Sequence, residues 1–226
     1  MSDPLESLAE AAVALVRPGT IVGLGSGRAA AAFTRALGTR VAAGLDVRGV
    51  PTSDATAALA RDLRIPLVGL DAGELDVTVD GADEVDPHLD LIKGFGGALV
   101  RERIVAGASR RQIILVDESK LVPKLGARGR IPIEVVPFGV PACRRRLDAL
   151  GIPATARSVD GRPFVTDNGN TILDGSTAPI DDPARLERAI RAIPGVVDTG
   201  LFLGTAHLVL VAGPGGVREM TRTARS

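Results

Sequence analysis

Short β-branched runs that end at glycine or a turn, and then lead into helical stretches, recur along the first half of the chain. This alternation constrains the fold more than any other feature. Residues 20–24 lead into a helix over 29–37, and residues 47–50 lead through Pro51-Thr52-Ser53 into a helix over 54–63. Residues 67–70 and 75–79 are short apolar runs, 98–106 reads as a helix and 112–116 as a strand. An alanine-rich helix over 5–16, ended by Pro18-Gly19, precedes them all. Strands alternating with helices predict an α/β domain, a Rossmann-like parallel sheet covered on both faces.

The pattern changes near Arg130. Strands are expected at 131–136, 154–159 and 196–202, with helices over 143–150 and 183–193. Residues 164–167 face 171–174 across an Asn168-Gly169 turn. That order is βαββαβ, a ferredoxin-like α+β unit. The apolar run 207–212 is free to return to the first sheet. The expectation is an α/β domain of residues 1–129 plus 204–226 with a smaller α+β domain, 130–203, inserted in it.

Composition narrows the function. The chain has 226 residues, 27 basic against 27 acidic, so it carries no general footprint for nucleic acid. It has no Trp or Tyr to stack on bases. Cys143 is the single cysteine, which fits a reducing compartment, and the acidic start is unlike a signal peptide. No apolar run reaches a membrane span. A cytoplasmic protein is expected, with no nucleic-acid or membrane partner. Only Lys93, Lys120 and Lys124 are lysines, against 24 arginines. A retained lysine suits a site that needs a compact ammonium.

Four segments carry chemistry. Residues 22–30, with Gly23, Gly25 and Gly27 between a strand and a helix start, suit a phosphate or other anion. Gly25-x-Gly27-x-x-Ala30 also fits a dinucleotide fingerprint, but the second strand ends Val50-Pro51-Thr52-Ser53 with no acid at its tip. A structural glycine turn is the plain alternative. Asp80, Asp83, Glu84 and Asp86 follow the strand at 75–79; acid/base work on hydroxyls, a hard-metal site and a solvated turn all fit, and their crowding should raise some pKa values. In the third segment, glycines 94, 96 and 97 lead into a helix on which Glu102 has Ala98, Leu99, Val105 and Ala106 as one-turn neighbours. Glu102 thus sits on an apolar stripe, where desolvation raises its pKa toward neutrality and suits it as a general base; the alternative is a glutamate at the stripe's edge reaching water. Finally, Lys120 ends Val116-Asp117-Glu118-Ser119-Lys120 and is either a phosphate-binding point charge or a surface lysine. Lys124, His88, His207 and Cys143 read as solvated, satisfied or inert.

Taken together, GLGSG (23–27), VPTSDAT (50–56), DGADEVD (80–86), IKGFGGALVRE (92–102), VDESK (116–120), IPIEVVP (131–137), FVTDNGN (164–170) and IPGVVDTGLF (193–202) resemble the A-type ribose-5-phosphate isomerases in order and over nearly the whole chain. The resemblance implies reversible conversion of ribose 5-phosphate and ribulose 5-phosphate through an enediolate. It implies no metal or organic cofactor, a place in the pentose phosphate pathway, and a homodimer or tetramer. It assigns Glu102 to the proton transfer between C1 and C2, and Asp80 and Asp83 to ring opening and sugar hydroxyls. It matches Lys93, Gly94, Gly96 and Gly97 to the loop that steadies the enediolate. By the same resemblance Ser26, Gly27, Arg28 and Ala29 match a substrate loop, Gly81, Ala82 and Phe95 lie in the matching substrate segments, and Lys120 matches a substrate-binding lysine.

The resemblance also has departures. The family's first loop commonly reads Gly-Thr-Gly-Ser-Thr, where this chain has Gly25-Ser26-Gly27-Arg28-Ala29, so two hydroxyls are missing. An N-terminal lysine found in some members has no counterpart in residues 1–16, and Phe95 stands where Gly is common. Arg28 is expected to supply the charge those groups would have given. The rival functions are a nicotinamide-dependent dehydrogenase, a non-enzymatic sugar-phosphate-binding domain, and a metal-dependent hydride-shift isomerase.

Overall fold

Local chemistry sets where the elements begin. In the computed structural model, which describes residues 3–222, Asp3 accepts the Leu5 N–H at 2.9 Å and Pro4 opens helix α1 (Pro4–Val13). β1 (Thr20–Leu24) follows, and α2 (Arg28–Ala42) starts after Gly27, whose φ of 87° favours glycine. β2 (Val47–Pro51) leads into α3 (Asp54–Asp62), capped by Ser53 Oγ on the Thr56 N–H at 3.1 Å. Then come β3 (Val77–Gly81), β4 (Glu84–Val85), β5 (Leu91–Ile92), α4 (Leu99–Gly107) and β6 (Gln112–Asp117). β7 (Arg130–Val135), α5 (Val140–Ala149), β8 (Ala154–Ala156), β9 (Ser158–Val159), β10 (Arg162–Pro163) and β11 (Thr171–Ser176) follow. The last elements are α6 (Pro183–Arg191), β12 (Val196–Thr199), β13 (Leu201–Phe202), β14 (Leu208–Gly213) and β15 (Gly216–Thr221).

The first of two units contains residues 3–82, 101–121 and 204–222. Its six-stranded sheet runs β15-β14-β6-β3-β1-β2. All neighbours are parallel except β15, which folds back antiparallel on β14. The run expected to return to the first sheet does so as β14; β15, mostly exposed and without a clean apolar alternation, has no strand signal in the sequence. Val22, Leu24, Val79, Ile113, Leu115 and Leu210 pack with Leu8, Phe33 and Leu37 of α1 and α2. Ile21, Val50 and Leu75, on the other face, pack with Val105 of α4. At 25 cal/mol per Å² of apolar surface, each such fully buried leucine or phenylalanine is worth about 1.5–3 kcal/mol. The sheet is therefore the rigid frame for the loops at its carboxyl end.

The second unit contains residues 83–100 and 122–203. Its four-stranded sheet, β12-β7-β11-β8, is antiparallel throughout and forms the expected βαββαβ sandwich. Ile131, Ile133 and Val135 pack with Cys143 and Leu147 of α5 and Ile190 of α6. The strands of this unit differ from the sequence reading in three details. Residues 164–167 form no strand: Val165 makes a single bridge to Thr171, and β11 pairs with β7 and β8 instead. The run 154–159 divides into β8 and β9. The run 196–202 breaks at Gly200, whose N–H donates to Pro132 O at 2.7 Å while its carbonyl accepts the Lys93 N–H at 2.9 Å. A Cβ on Gly200 would overlap the Lys93 carbonyl and lie 3.0 Å from Pro132 Cδ. The chain therefore leaves β7 there, and β13 joins β5 and β4 in a separate three-stranded sheet.

Candidate active site

In the parallel-sheet unit the loop of Ser26, Gly27, Arg28 and Ala29 follows β1, Asp80, Gly81 and Ala82 lie at the end of β3, and Lys120 follows β6; these are carboxyl ends of strands, where ligands bind in open α/β sheets. Asp80, fully buried near the end of β3, organises the first loop. Its Oδ1 accepts the N–H of Ser26 at 3.1 Å and of Gly81 at 2.8 Å. Gly25 permits this approach, because a Cβ there would overlap the Asp80 carboxylate and lie 2.6 Å from its Cα. Ser26 Oγ pairs with Thr52 Oγ1 at 2.8 Å, and Thr56 Oγ1 donates to Gly25 O at 2.9 Å. Thr52 and Thr56 thus brace the loop from β2 and α3. The turn Pro51-Thr52-Ser53, with its capping serine, is visible in the sequence, but the target of these threonines, a loop 26 to 31 residues earlier in the chain, is not. A hydroxyl partner, Thr52, occupies the strand tip where a dinucleotide fold would carry an acid.

Gly27 and Arg28 are exposed, Ala29 half-buried, and the first turn of α2 has no side-chain cap. Arg28 also lines a groove between α1 and α2 with Asp3, Glu6, Glu10 and Arg35. Ala82 is half-buried just past the end of β3. Glu102 lies on α4 and is only 5% exposed, with Val105 beside it at 3%. The apolar stripe is real: a Cβ on Gly23 of β1 would come 2.6 Å from Val105 Cγ1, so α4 lies directly on the sheet. Arg101, next to Glu102 in sequence, points away to Asp54 at 2.7 Å. Lys120 closes a short 3-10 turn after β6. Asp117 caps that turn through the Ser119 N–H at 2.9 Å; the Ser119 hydroxyl first, and then this N–H and the Lys120 charge, hold its carboxyl below the usual range.

In the antiparallel-sheet unit, Asp83 and Lys93 flank the β4–β5 hairpin. The Asp83 N–H donates to Ile92 O at 2.8 Å, and its Oδ2 accepts the Phe95 N–H at 2.9 Å. Lys93 is 2% exposed, with its ammonium 5.6 Å from the centre of the Phe202 ring. The glycine turn closes through Gly97 N–H to Gly94 O at 3.0 Å, with φ of 99° at Gly94 and 89° at Gly97. Phe95 is half-buried and Gly96 exposed.

The other acids of the 80–86 segment serve the fold. Glu84, fully buried, accepts the N–H groups of Gly126 and Arg128 at 2.6 and 2.7 Å. Asp86 Oδ1 accepts those of His88 and Asp90 at 2.8 and 2.9 Å. Burial is the first cause that pushes the Asp86 carboxyl up, and the Asp90 charge is a lesser one. The expected crowding among the four acids is not the source. Lys124 pairs with Asp181 at the surface, His88 is exposed, and His207 Nδ1 accepts the Gln112 N–H at 3.1 Å. Cys143 is buried, and burial pushes its thiol pKa up. Among the described residues no group of three or more His, Cys, Asp and Glu is placed to hold a metal ion, and no helix is long and apolar enough to cross a membrane.

The family model for ribose 5-phosphate isomerase A (phosphoriboisomerase A) matches residues 48–216. The chain belongs to this family. The ribose-5-phosphate isomerase A of Chloroflexus aurantiacus is 53% identical over 217 residues, covering 94% of this chain and 91% of that one. The Thermomicrobium roseum enzyme is 51% identical over 221 residues, 96% and 93% of the two chains. Among solved structures, ribose 5-phosphate isomerase A from Methanocaldococcus jannaschii superposes with a TM-score of 0.93 at 43% identity, covering 97% and 98%. A D-ribose-5-phosphate isomerase in complex with phospho-erythronic acid gives 0.94 at 39% identity, again covering 97% and 98%. The α/β architecture of the ribose 5-phosphate isomerase A family is therefore that of this chain.

Proposed function

We infer that this family member, an isomerase of ribose 5-phosphate, works through an enediolate with Glu102 as its proton carrier. The observation that carries the reading is the burial of Glu102, 5% exposed on an apolar helix face, which is where a carboxylate base is kept from water. Glu102 takes the C2 proton of the open aldose. The C–H electrons form the C1–C2 double bond and O1 takes the negative charge. The carboxylic acid then returns its proton to C1, O2 becomes the ketone oxygen, and the O2 hydroxyl proton passes to O1.

Lys93 and the turn at Gly94, Gly96 and Gly97 steady the charge on the enediolate, as an ammonium and N–H groups do for oxyanions. Asp80 and Asp83 handle ring opening and the sugar hydroxyls; both already accept backbone N–H groups of substrate-loop residues, Ser26 and Phe95. Ser26, Gly27, Arg28, Ala29, Gly81, Ala82, Phe95 and Lys120 line the substrate. Arg28 stands in for the hydroxyls its loop lacks, and the uncapped start of α2 favours a phosphate.

The enzyme acts in the cytoplasm, in the pentose phosphate pathway; its one buried cysteine needs no oxidising compartment. It works as a homodimer or tetramer, and the apolar Phe138, 98% exposed, is surface a second copy would cover.

The test is isomerisation of ribose 5-phosphate in heavy water with a chelator present. An enediolate with a carboxylate carrier lets solvent deuterium enter the C–H position over many reversible turnovers, with activity unaffected by chelator. Loss of activity in chelator, or no deuterium after repeated turnover, points to a metal-assisted hydride shift.

A further inference from the structure

A buried ion pair grips the glycine turn of the antiparallel-sheet unit. Arg157 Nε and Nη2 donate to Asp174 Oδ2 and Oδ1 at 2.9 and 2.6 Å, with side chains 8% and 14% exposed. The third arm, Nη1, donates at 3.0 Å to the carbonyls of both Gly94 and Phe95. The peptides are trans, so each N–H points opposite to the carbonyl of its own plane.

Two successive peptide groups are oriented in this way. The Gly94–Phe95 peptide is held at both ends, its carbonyl by Arg157 and its N–H by Asp83 Oδ2 at 2.9 Å. The Phe95–Gly96 peptide is held at its carbonyl, which aims the Gly96 N–H away from Arg157. Gly96 is exposed there, and a Cβ on it would meet no atom within 4 Å. Neighbouring groups reinforce the grip. The Arg130 guanidinium lies 3.8 Å from the centre of the Phe95 ring, with its Nε 3.7 Å from Asp174. Phe164 fills the space beside Gly97, where a Cβ would come 2.5 Å from Cε1 of the ring.

We propose that Arg157, oriented by Asp174, is a positioning residue for the isomerisation: it fixes the peptide planes of the glycine turn so that the Gly96 N–H meets the negative charge of the enediolate. This rests on the reading that the turn faces the substrate. A planar guanidinium is required, because it can bind a carboxylate with one edge and two carbonyls with another, which an ammonium cannot do in fixed geometry. An oxyanion donor is worth about 10²–10³-fold in rate, and loosening its support forfeits part of that.

The test compares Arg157→Lys and Asp174→Asn with the parent for kcat, KM, thermal stability and affinity for phospho-erythronic acid, whose carboxylate resembles the charged end of the enediolate. Arg157→Lys lowers kcat by about 10²-fold and weakens phospho-erythronic acid in step, while KM for ribose 5-phosphate stays within about threefold. Asp174→Asn shows the same split with a smaller loss. The proposal is overturned if kcat stays within about threefold of the parent, or if activity falls only with the folded fraction. Should Arg157→Lys not fold, Asp174→Asn decides by the same criteria. Glu102→Gln, assayed alongside, separates the two readings: if it retains turnover, the assignment of the site fails; if it is inactive while Arg157→Lys and Asp174→Asn are unaffected, only the positioning role fails.

Discussion

The Ser26 N–H reaches across 54 positions of the chain to donate to Oδ1 of Asp80 at 3.1 Å. A side chain at the end of β3 therefore shapes the loop after β1, and the same oxygen accepts the Gly81 N–H at 2.8 Å. Asp80→Asn keeps an acceptor for both donors but removes the charge. Asp80→Ala removes the acceptor and leaves both N–H groups unpaired, which costs about 1–3 kcal/mol for a buried donor. Thermal unfolding should separate them, Asp80→Asn melting near the parent and Asp80→Ala clearly below it, while both lose turnover. Equal melting temperatures for the two variants contradict this account.

Gly25→Ala tests the same junction from the other side. Its Cβ would overlap the Asp80 carboxylate and approach Asp80 Cα at 2.6 Å, against backbone that cannot swing away. Overpacking of this kind costs about 1–3 kcal/mol, so chemical denaturation should show that loss together with lower kcat/KM. An unchanged denaturation midpoint would show that the loop moves freely.

Asp86 gives a pH-dependent prediction. Burial raises its pKa above the ordinary carboxylate value, so the folded state holds its proton more tightly than the unfolded chain does. The stability associated with that proton is present below the unfolded pKa and lost as pH rises through the folded one. Asp86→Asn can still accept from His88 and Asp90 through its amide oxygen. The variant should gain melting temperature over the parent at about pH 7 and show no gain at about pH 3. A gain independent of pH rules out the buried charge as its source.

Much of this architecture was legible in the sequence because strand-glycine-helix alternation is local chemistry. Gly27 before α2 and Ser53 before α3 mark their helices by backbone freedom and capping. The stripe around Glu102 also follows from helical spacing alone. What could not be read depends on distant partners. Glu84 looks like a site acid until its N–H donors, Gly126 and Arg128, 42 and 44 residues further on, are known. Residues 196–202 look like one strand until Gly200 is seen against Lys93 and Pro132. Arg157 sits in a plain polar stretch, and its role depends on carbonyls more than 60 residues away.

Arg28 is exposed at the first position of α2, beside a helix start with no side-chain cap. If it supplies the charge its loop lacks, Arg28→Ala removes a charge-assisted contact to phosphate, worth about 1.5–3 kcal/mol. Steady-state kinetics should then show KM raised roughly tenfold or more with kcat little changed. An unchanged KM removes Arg28 from the phosphate site.

The proposed role of Glu102 as proton carrier is tested most directly by Glu102→Gln, which keeps the side chain's shape but cannot accept a proton from carbon. Turnover of ribose 5-phosphate is measured beside calorimetric binding of phospho-erythronic acid. The account predicts a fall in kcat of about 10²–10⁴-fold or more with binding kept within a few-fold. Turnover within a few-fold of the parent contradicts it.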